Sequence, residues 1–143
     1  MMIRPMRRDD SATVATLSYD LGYPSGPEEI GKRFDAVIGG GDAQVFVVEN
    51  DGGAVIGWLH VHGRRLLESD AHAEIGGLVV SPSARRSGAG RQLVAAAEHW
   101  ARDNGYRVLT LRSNTSRIEA RPFYESIGFR ISKTQYKLTK DLR

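Results

Sequence analysis

The chain has 143 residues, a length that makes one domain with a core able to fold without a disulfide or metal. Hydrophobic residues at 41% and charged residues at 26% exclude a disordered or fibrous chain, and the absence of cysteine excludes disulfide frameworks, thiolate catalysis and cysteine-ligated metal sites. Lys and Arg number 20 against 17 Asp and Glu, a net +3 that suits an anionic ligand but is too dispersed to mark a nucleic-acid face.

Ile3 to Arg7 reads as a short strand, and Asp9, Asp10 or Ser11 can cap a following helix with Val14, Leu17 and Leu21 at helical spacing. Gly22 to Pro27, with Tyr23 among them, breaks it. Pro27 suits the first turn of a second helix, where Glu28 and Glu29 favour the positive end and Ile30, Phe34, Val37 and Ile38 form an apolar stripe. Val45–Val48 and Val55–His62 are β-rich runs joined by Asn50-Asp51-Gly52-Gly53, a strong hairpin signal. A polar stretch over 64–72 precedes a third strand of the meander, from about Ala73 to Val80. Its Gly76-Gly77 pair marks a bulge or a close approach by a ligand or another backbone.

A Gly-rich turn then leads into a helix from about Gly88 to Asp103, with Leu93, Ala96, Ala97, Trp100 and Ala101 on its buried stripe. Val108 to Arg112 reads as a strand, Ala120 to Ile127 as a short helix, and Phe129 to Leu138 alternates as a last strand. Ser116-x-x-Glu119 has the form of a capping box, but Pro122 would then lie inside the helix, so a kink or a later start is expected. The order is β-αα-βββ-α-β-α-β, in one domain spanning 1–143. No apolar run reaches the ~18 residues of a membrane span, and Met1 to Arg8 lacks a signal-peptide core, so the expected location is cytoplasmic, with no membrane or nucleic-acid partner.

Chemistry concentrates in Leu78 to Leu93. A strand, a basic glycine turn and a helix start form an anion cradle there: Gly88 and Gly90 let backbone N–H groups converge, the helix end adds partial positive charge, and Arg85, Arg86 and Arg91 add full charges. A plain loop with solvated arginines is the competing reading. Neither a dinucleotide fingerprint nor a P-loop fits: Gly88-Ala89-Gly90-Arg91-Gln92-Leu93 lacks a third glycine, and Arg33 stands where a P-loop has Ser or Thr. His60 and His62 share a strand face, with His72 a conceivable third ligand. Without a fixed third ligand or any cysteine they read as surface or acceptor-pocket residues, and no metal is expected. Gly-x-Ser-x-Gly is absent, which leaves a hydrolase elbow unsupported.

Arg85-x-x-Gly88-x-Gly90, preceded by Leu78-x-Val80-x-Pro82 and followed by Ala120-x-x-Phe123-Tyr124-Glu125-x-x-Gly128-Phe129, resembles the GNAT superfamily of acetyl-coenzyme A dependent N-acyltransferases. The element order agrees across nearly the whole chain. Ser87 departs from the Arg common there, and Arg86 stands beside it. The resemblance implies an α/β fold with a mixed, mostly antiparallel sheet and a V-shaped splay between the Ala73–Val80 and Val108–Arg112 strands. It implies acetyl-coenzyme A as cosubstrate, its arm along Leu78, Val79 and Val80 with an N–H there for the oxyanion, and its pyrophosphate on Arg85, Arg86, Ser87, Gly88, Ala89, Gly90 and Arg91.

Glu74 matches the position of a general-base glutamate in some members, acting directly or through a water, or it is simply a partner for Arg112. Tyr124 matches the tyrosine that protonates the departing thiolate, a packing aromatic being the alternative. The implied activity is acetyl transfer to a primary amine of a small molecule or peptide by direct attack, by a monomer or homodimer. A non-catalytic coenzyme A-sensing module is the alternative. Glu68, Asp70 and Glu74, with Asp20, Glu28 and Glu29, either favour a polycationic acceptor or form mixed-charge surface beside Arg64 and Arg65.

Overall fold

The computed structural model describes residues 1–19, 22, 24–115 and 120–143. Leu21, Asp20, Tyr23 and the Ser116–Glu119 capping box lie outside the described residues. The chain forms two compact units, Met1–Arg112 and Ser113–Arg143.

In the first unit, β1 (Met2–Pro5) is followed by a 3₁₀ turn at Arg8–Asp10, α1 (Ser11–Tyr19) and α2 (Pro27–Gly39), then β2 (Ala43–Glu49), β3 (Val55–Leu66) and β4 (Ser69–Val80). After a second 3₁₀ turn at Pro82–Ala84 come α3 (Ala89–Asp103) and β5 (Leu109–Leu111). The sheet order is β1-β2-β3-β4-β5, antiparallel except for the parallel pair β4–β5. This is the expected mixed α/β sheet through the fifth strand.

Alternation assigns each strand residue to a face. Val48 and Gly57 face α3, where a Cβ on Gly57 would stand 3.3 Å from Leu93 and 2.9 Å from the Val79 carbonyl. Val45, Val47 and Trp58 face the other way, into a cluster with Met6, Val14, Ile30, Phe34 and Val37 from the α1 and α2 side. The apolar stripes therefore work as expected on α2 and α3, although Ile38 ends up exposed. On α1 the buried positions are Ser11, Val14, Ala15 and Ser18, and one of the two serines ties the helix to the sheet. The Ser18 hydroxyl donates to Val14 O at 2.7 Å and accepts from Trp58 Nε1 at 3.1 Å, tying α1 to β3.

Asn50 makes the β2–β3 turn as anticipated: its Oδ1 accepts from the Gly52 and Ala54 amides, both at 3.0 Å, with Gly53 at φ +83. The polar stretch over 64–72 is no loop. It extends the β3–β4 hairpin, with Arg64 opposite His72 and Leu66 opposite Ser69, because cross-strand pairing continues where neither face has a core to cover.

The second unit contains α4 (Ala120–Ser126), with Pro122 in its first turn, where the missing N–H is no loss. Phe129 N bonds Tyr124 O at 3.0 Å and closes the helix end. The expected strand over Phe129–Leu138 is not formed. Its alternation specifies two faces but supplies no pairing neighbour, and Tyr136 and Leu138 are 96% and 91% exposed.

Arg4 links β1 to the start of the helical layer. Its Nη1 and Nη2 donate to the two Asp10 oxygens at 2.8 and 2.9 Å, its Nε donates to Glu49, and Asp10 also accepts from Arg7 N at 2.7 Å. Both side chains of the Arg4–Asp10 pair are nearly buried, and Arg4 holds the Asp10 carboxyl below its ordinary value. Asp10→Asn should lower unfolding free energy by ~3 kcal/mol near neutral pH. A depressed folded pKa contributes stability that is present above the ordinary aspartate range and lost as pH falls through the folded value, so the gap between wild type and variant should close in acid. Urea unfolding at pH 7 and pH 3 measures both.

Candidate functional site

The site is built on an irregularity in β4. Ala73 N donates to Val108 O at 2.9 Å, so odd-numbered residues at the start of β4 turn their main-chain groups toward β5. At the far end, Ser81 N donates to Ile56 O at 2.8 Å, so there the odd-numbered residues turn toward β3. The phase changes where His60 pairs with Gly77 and Val61 with Ile75, leaving Gly76 as the extra residue of a bulge.

Two consequences follow for the last turn of the pleat. Val79 points its main-chain groups at β3 and its side chain into the core, 3% exposed, whereas Leu78 and Val80 direct N–H and C=O away from β3. Pairing with β5 covers only Ala73, Glu74 and Ile75. Among the described residues, Leu78 and Val80 therefore have no strand neighbour on that side.

Those strands lead straight into the glycine turn. Ser87 Oγ donates to Ala84 O and accepts from Ala89 N at 3.3 Å, while Gln92 N reaches Gly88 O at 3.0 Å. Gly88 adopts φ +91 and Arg86 φ +67, so the chain turns twice through left-handed backbone. Within the described residues the N–H groups of Gly88, Gly90 and Arg91 donate to no protein acceptor. Arg85, Arg86 and Arg91 are exposed, and no described carboxylate pairs with any of them. A cluster of unengaged donors and cations at a helix start suits a polyanion such as a pyrophosphate.

Glu74 is 13% exposed and faces two guanidinium groups, Arg64 Nη1 at 2.9 Å and Arg112 Nε at 3.8 Å on Oε1, with the His62 ring Nε2 at 3.5 Å from Oε2. Arg64 and His62 are partners that spacing along the sequence did not indicate. They become visible only once the register places His62 opposite Glu74.

A family model described as the acetyltransferase (GNAT) family matches residues 12–129. The aminoglycoside N(6')-acetyltransferase type 1 of Klebsiella aerogenes is 35% identical over 112 residues, covering 73% of this chain and 72% of that one.

The chain belongs to the GNAT acetyltransferase family.

Two solved structures share the fold. A transcriptional regulator from Bacillus halodurans C-125 superposes with a TM-score of 0.87 at 24% identity, over 97% of this chain and 99% of that one. The aminoglycoside acetyltransferase AAC(6')-Iy in complex with CoA gives 0.81 at 20%, over 99% and 100%. GNAT acetyltransferases use acetyl-coenzyme A as cosubstrate, and the present chain is an acyl-coenzyme A dependent N-acetyltransferase.

The floor beside Glu74 is built from aromatic side chains over glycines. Trp58, His60 and His62 stand in a row on the α1 face of β3, and the two glycines of β4 lie beneath them. A Cβ at residue 76 would come within 2.8 Å of His60 Nδ1, and one at residue 77 within 2.8 Å of the Trp58 ring. Both glycines are thus required by the aromatic side chains across from them. Among the described residues no three His, Cys, Asp or Glu side chains converge to hold a metal ion, and His72 Nδ1 faces Asp70 O instead. No helix of the described residues is long and apolar enough to cross a membrane.

Tyr124 belongs to the second unit, half-buried between Phe123 at 5.2 Å and Phe129 at 6.0 Å, both edge-on. Glu68 and Asp70 flank the exposed tip of the β3–β4 hairpin. From Glu68 to Glu74 is six residues of extended strand, ~20 Å, so these carboxylates do not form one cluster.

Gly77→Ala should displace the Trp58 ring. We expect a loss of ~1–3 kcal/mol, as overpacking costs, with altered near-ultraviolet circular dichroism.

Proposed function

We propose that this enzyme moves the acetyl group of acetyl-coenzyme A directly to a primary amine of a small, polycationic molecule, and that residues 1–143 act as one catalytic domain. The observation carrying the reading is the continuity of β4 and the cradle: free main-chain groups at Leu78 and Val80 run into a turn of unengaged N–H groups and three arginines without carboxylate partners.

The residues fit the cosubstrate. Leu78 and Val80 would hold the amide-bearing arm by strand-like bonds, and Val79 would keep that edge rigid from the core. Arg85, Arg86, Ser87, Gly88, Ala89, Gly90 and Arg91 would hold the pyrophosphate. Acetyl-coenzyme A supplies an acyl thioester, whose carbonyl oxygen gains negative charge on attack. A main-chain N–H at the free edge is preorganised to stabilise that charge. Glu74 attracts the acceptor's ammonium and serves as the base, directly or through a water. Tyr124 gives its hydroxyl proton to the departing sulfur.

The acceptor class rests on the relative from Klebsiella aerogenes, named for aminoglycosides, and on the carboxylates of Glu74, Asp70 and Glu68 along one hairpin and of Glu28 and Glu29 at the start of α2. Aminoglycosides carry several ammonium groups. At ~0.15 M salt the screening length is ~8 Å, so exposed carboxylates act mainly on a cation already close to them. The kcat/KM for a polyamine should therefore fall with salt and in Glu68→Gln/Asp70→Asn, and that for a neutral-tailed monoamine should not.

Thiol release from acetyl-coenzyme A across a panel of amines tests the reaction itself. Release with amines supports transfer, and tight cofactor binding without release with any amine would favour the sensing alternative. Gly88→Glu places a side chain at φ +91 and a negative charge against the pyrophosphate. Calorimetry should show coenzyme A affinity lowered at least ~10-fold, ~1.4 kcal/mol, while the domain stays folded. Tyr124→Phe should lower kcat by ~10²–10⁴-fold with cofactor affinity nearly unchanged.

A further inference from the structure

His60 is the one side chain of the β3 row that the transfer, as described above, leaves without a task. The ring sits opposite the bulge, in the space that Gly76 leaves open, two residues along β4 from Leu78. It is half-buried and takes part in no hydrogen bond or ion pair among the described residues. Since no buried side-chain nitrogen or oxygen there lacks a partner, its ring nitrogens are open to solvent. Glu74, by contrast, faces the guanidinium groups of Arg64 and Arg112 with Oε1 and the His62 ring with Oε2.

The ionisable groups around His60 come from three elements. On β3 there is His62, its ring centroid 5.1 Å away, with Arg64 beyond it, and on β4 there is Glu74. From α1 comes only Tyr19, which is exposed. Burial first, and repulsion from His62 second, push the His60 pKa below the ordinary histidine value, so the ring is neutral at neutral pH with a lone pair to offer.

We propose that His60 is a catalytic base, the group that takes the proton of the acceptor ammonium while Glu74 holds that ammonium in place. The proposal rests on the amine-acetylation reading and replaces Glu74 with His60 as the base of that step. The ammonium gives one proton to the imidazole, and the freed nitrogen lone pair forms the C–N bond at the thioester carbonyl. The C–S bond breaks and its electron pair takes the Tyr124 proton. The second proton shed by nitrogen restores that hydroxyl, and the imidazolium returns its proton to water, so one proton is released per amide formed.

The experiment compares kcat/KM against pH for wild type, His60→Gln and Glu74→Gln, using thiol release with a reactive amine. Wild type should rise through a midpoint below pH ~6.5. His60→Gln should lose that midpoint and ~10²-fold or more of kcat at an unchanged melting temperature. Added imidazole should restore part of the activity of His60→Ala. Glu74→Gln should raise the KM for amine and keep the midpoint. In the free enzyme, the histidine proton resonance missing from His60→Gln should titrate at the kinetic midpoint. Retention of rate and midpoint in His60→Gln, or loss of the midpoint in Glu74→Gln instead, would overturn the role of His60 alone. A wild type that releases no thiol with any amine would overturn the amine-acetylation reading and this role together.

Discussion

One extra residue in β4 sets the phase on which the rest of the site depends. A strand can offer its main-chain groups to one neighbour at a time, residue by residue, and an uninterrupted β4 would have sent Gly77 and Val79 to the free edge and Leu78 and Val80 to β3. The bulge at Gly76 reverses that, so the same strand is held by β5 over Ala73–Ile75 and released from it thereafter. An unpaired edge in mid-sheet is ordinarily a liability. Here it ends in a turn whose donors are likewise uncommitted among the described residues, so that free edge and turn run on as one continuous surface.

The bulge has its own requirement on the facing strand. Trp58 and His60 lean over residues 76 and 77, and Trp58 is fixed by its bond to Ser18 on α1. Packing between α1 and β3 is therefore mechanically linked to the main-chain geometry of β4. A hydroxyl buried on α1, one turn from Val14 on the same helix face, stands at the start of that linkage.

Features encoded by local chemistry were legible from the sequence. Asn50 with Gly53 announced a turn, Gly76-Gly77 announced a bulge, Pro27 opened α2, and the spacing of Leu93, Ala97 and Ala101 announced a buried helix face. Features that depend on partners distant in the chain were not. Arg4 with Asp10 and Glu49, and Arg64 with Glu74, are set by strand register, which a list of residues does not contain. The strand expected over Phe129–Leu138 failed for the related reason that alternation describes the faces of a strand without naming its neighbour. For the candidate site, the left-handed glycine turn with its exposed arginines was readable because these residues fall within seven consecutive positions. Around Glu74 the sequence indicated Arg112 but not Arg64 and His62, which the register of β3 against β4 brings to it.

The contrast between these two groups of arginines explains how a chain with a net charge of only +3 can present a concentrated positive site. Arg4, Arg64 and Arg112 face carboxylates of the fold, and their charge is largely cancelled at short range. Arg85, Arg86 and Arg91 follow a turn that carries no acidic residue from Ser81 to Val94, so nothing local cancels them. Net charge is thus a poor guide to the field at a site. What matters is which cations the fold has already matched, and near Glu74 the matching leaves His60 as the side chain with an uncommitted lone pair. Under the proposed role, a neutral imidazole beside a carboxylate already matched to Arg64 and Arg112 separates two demands that conflict in a single group: neutralising cations of the fold, which ties up lone pairs, and accepting a proton, which needs one free.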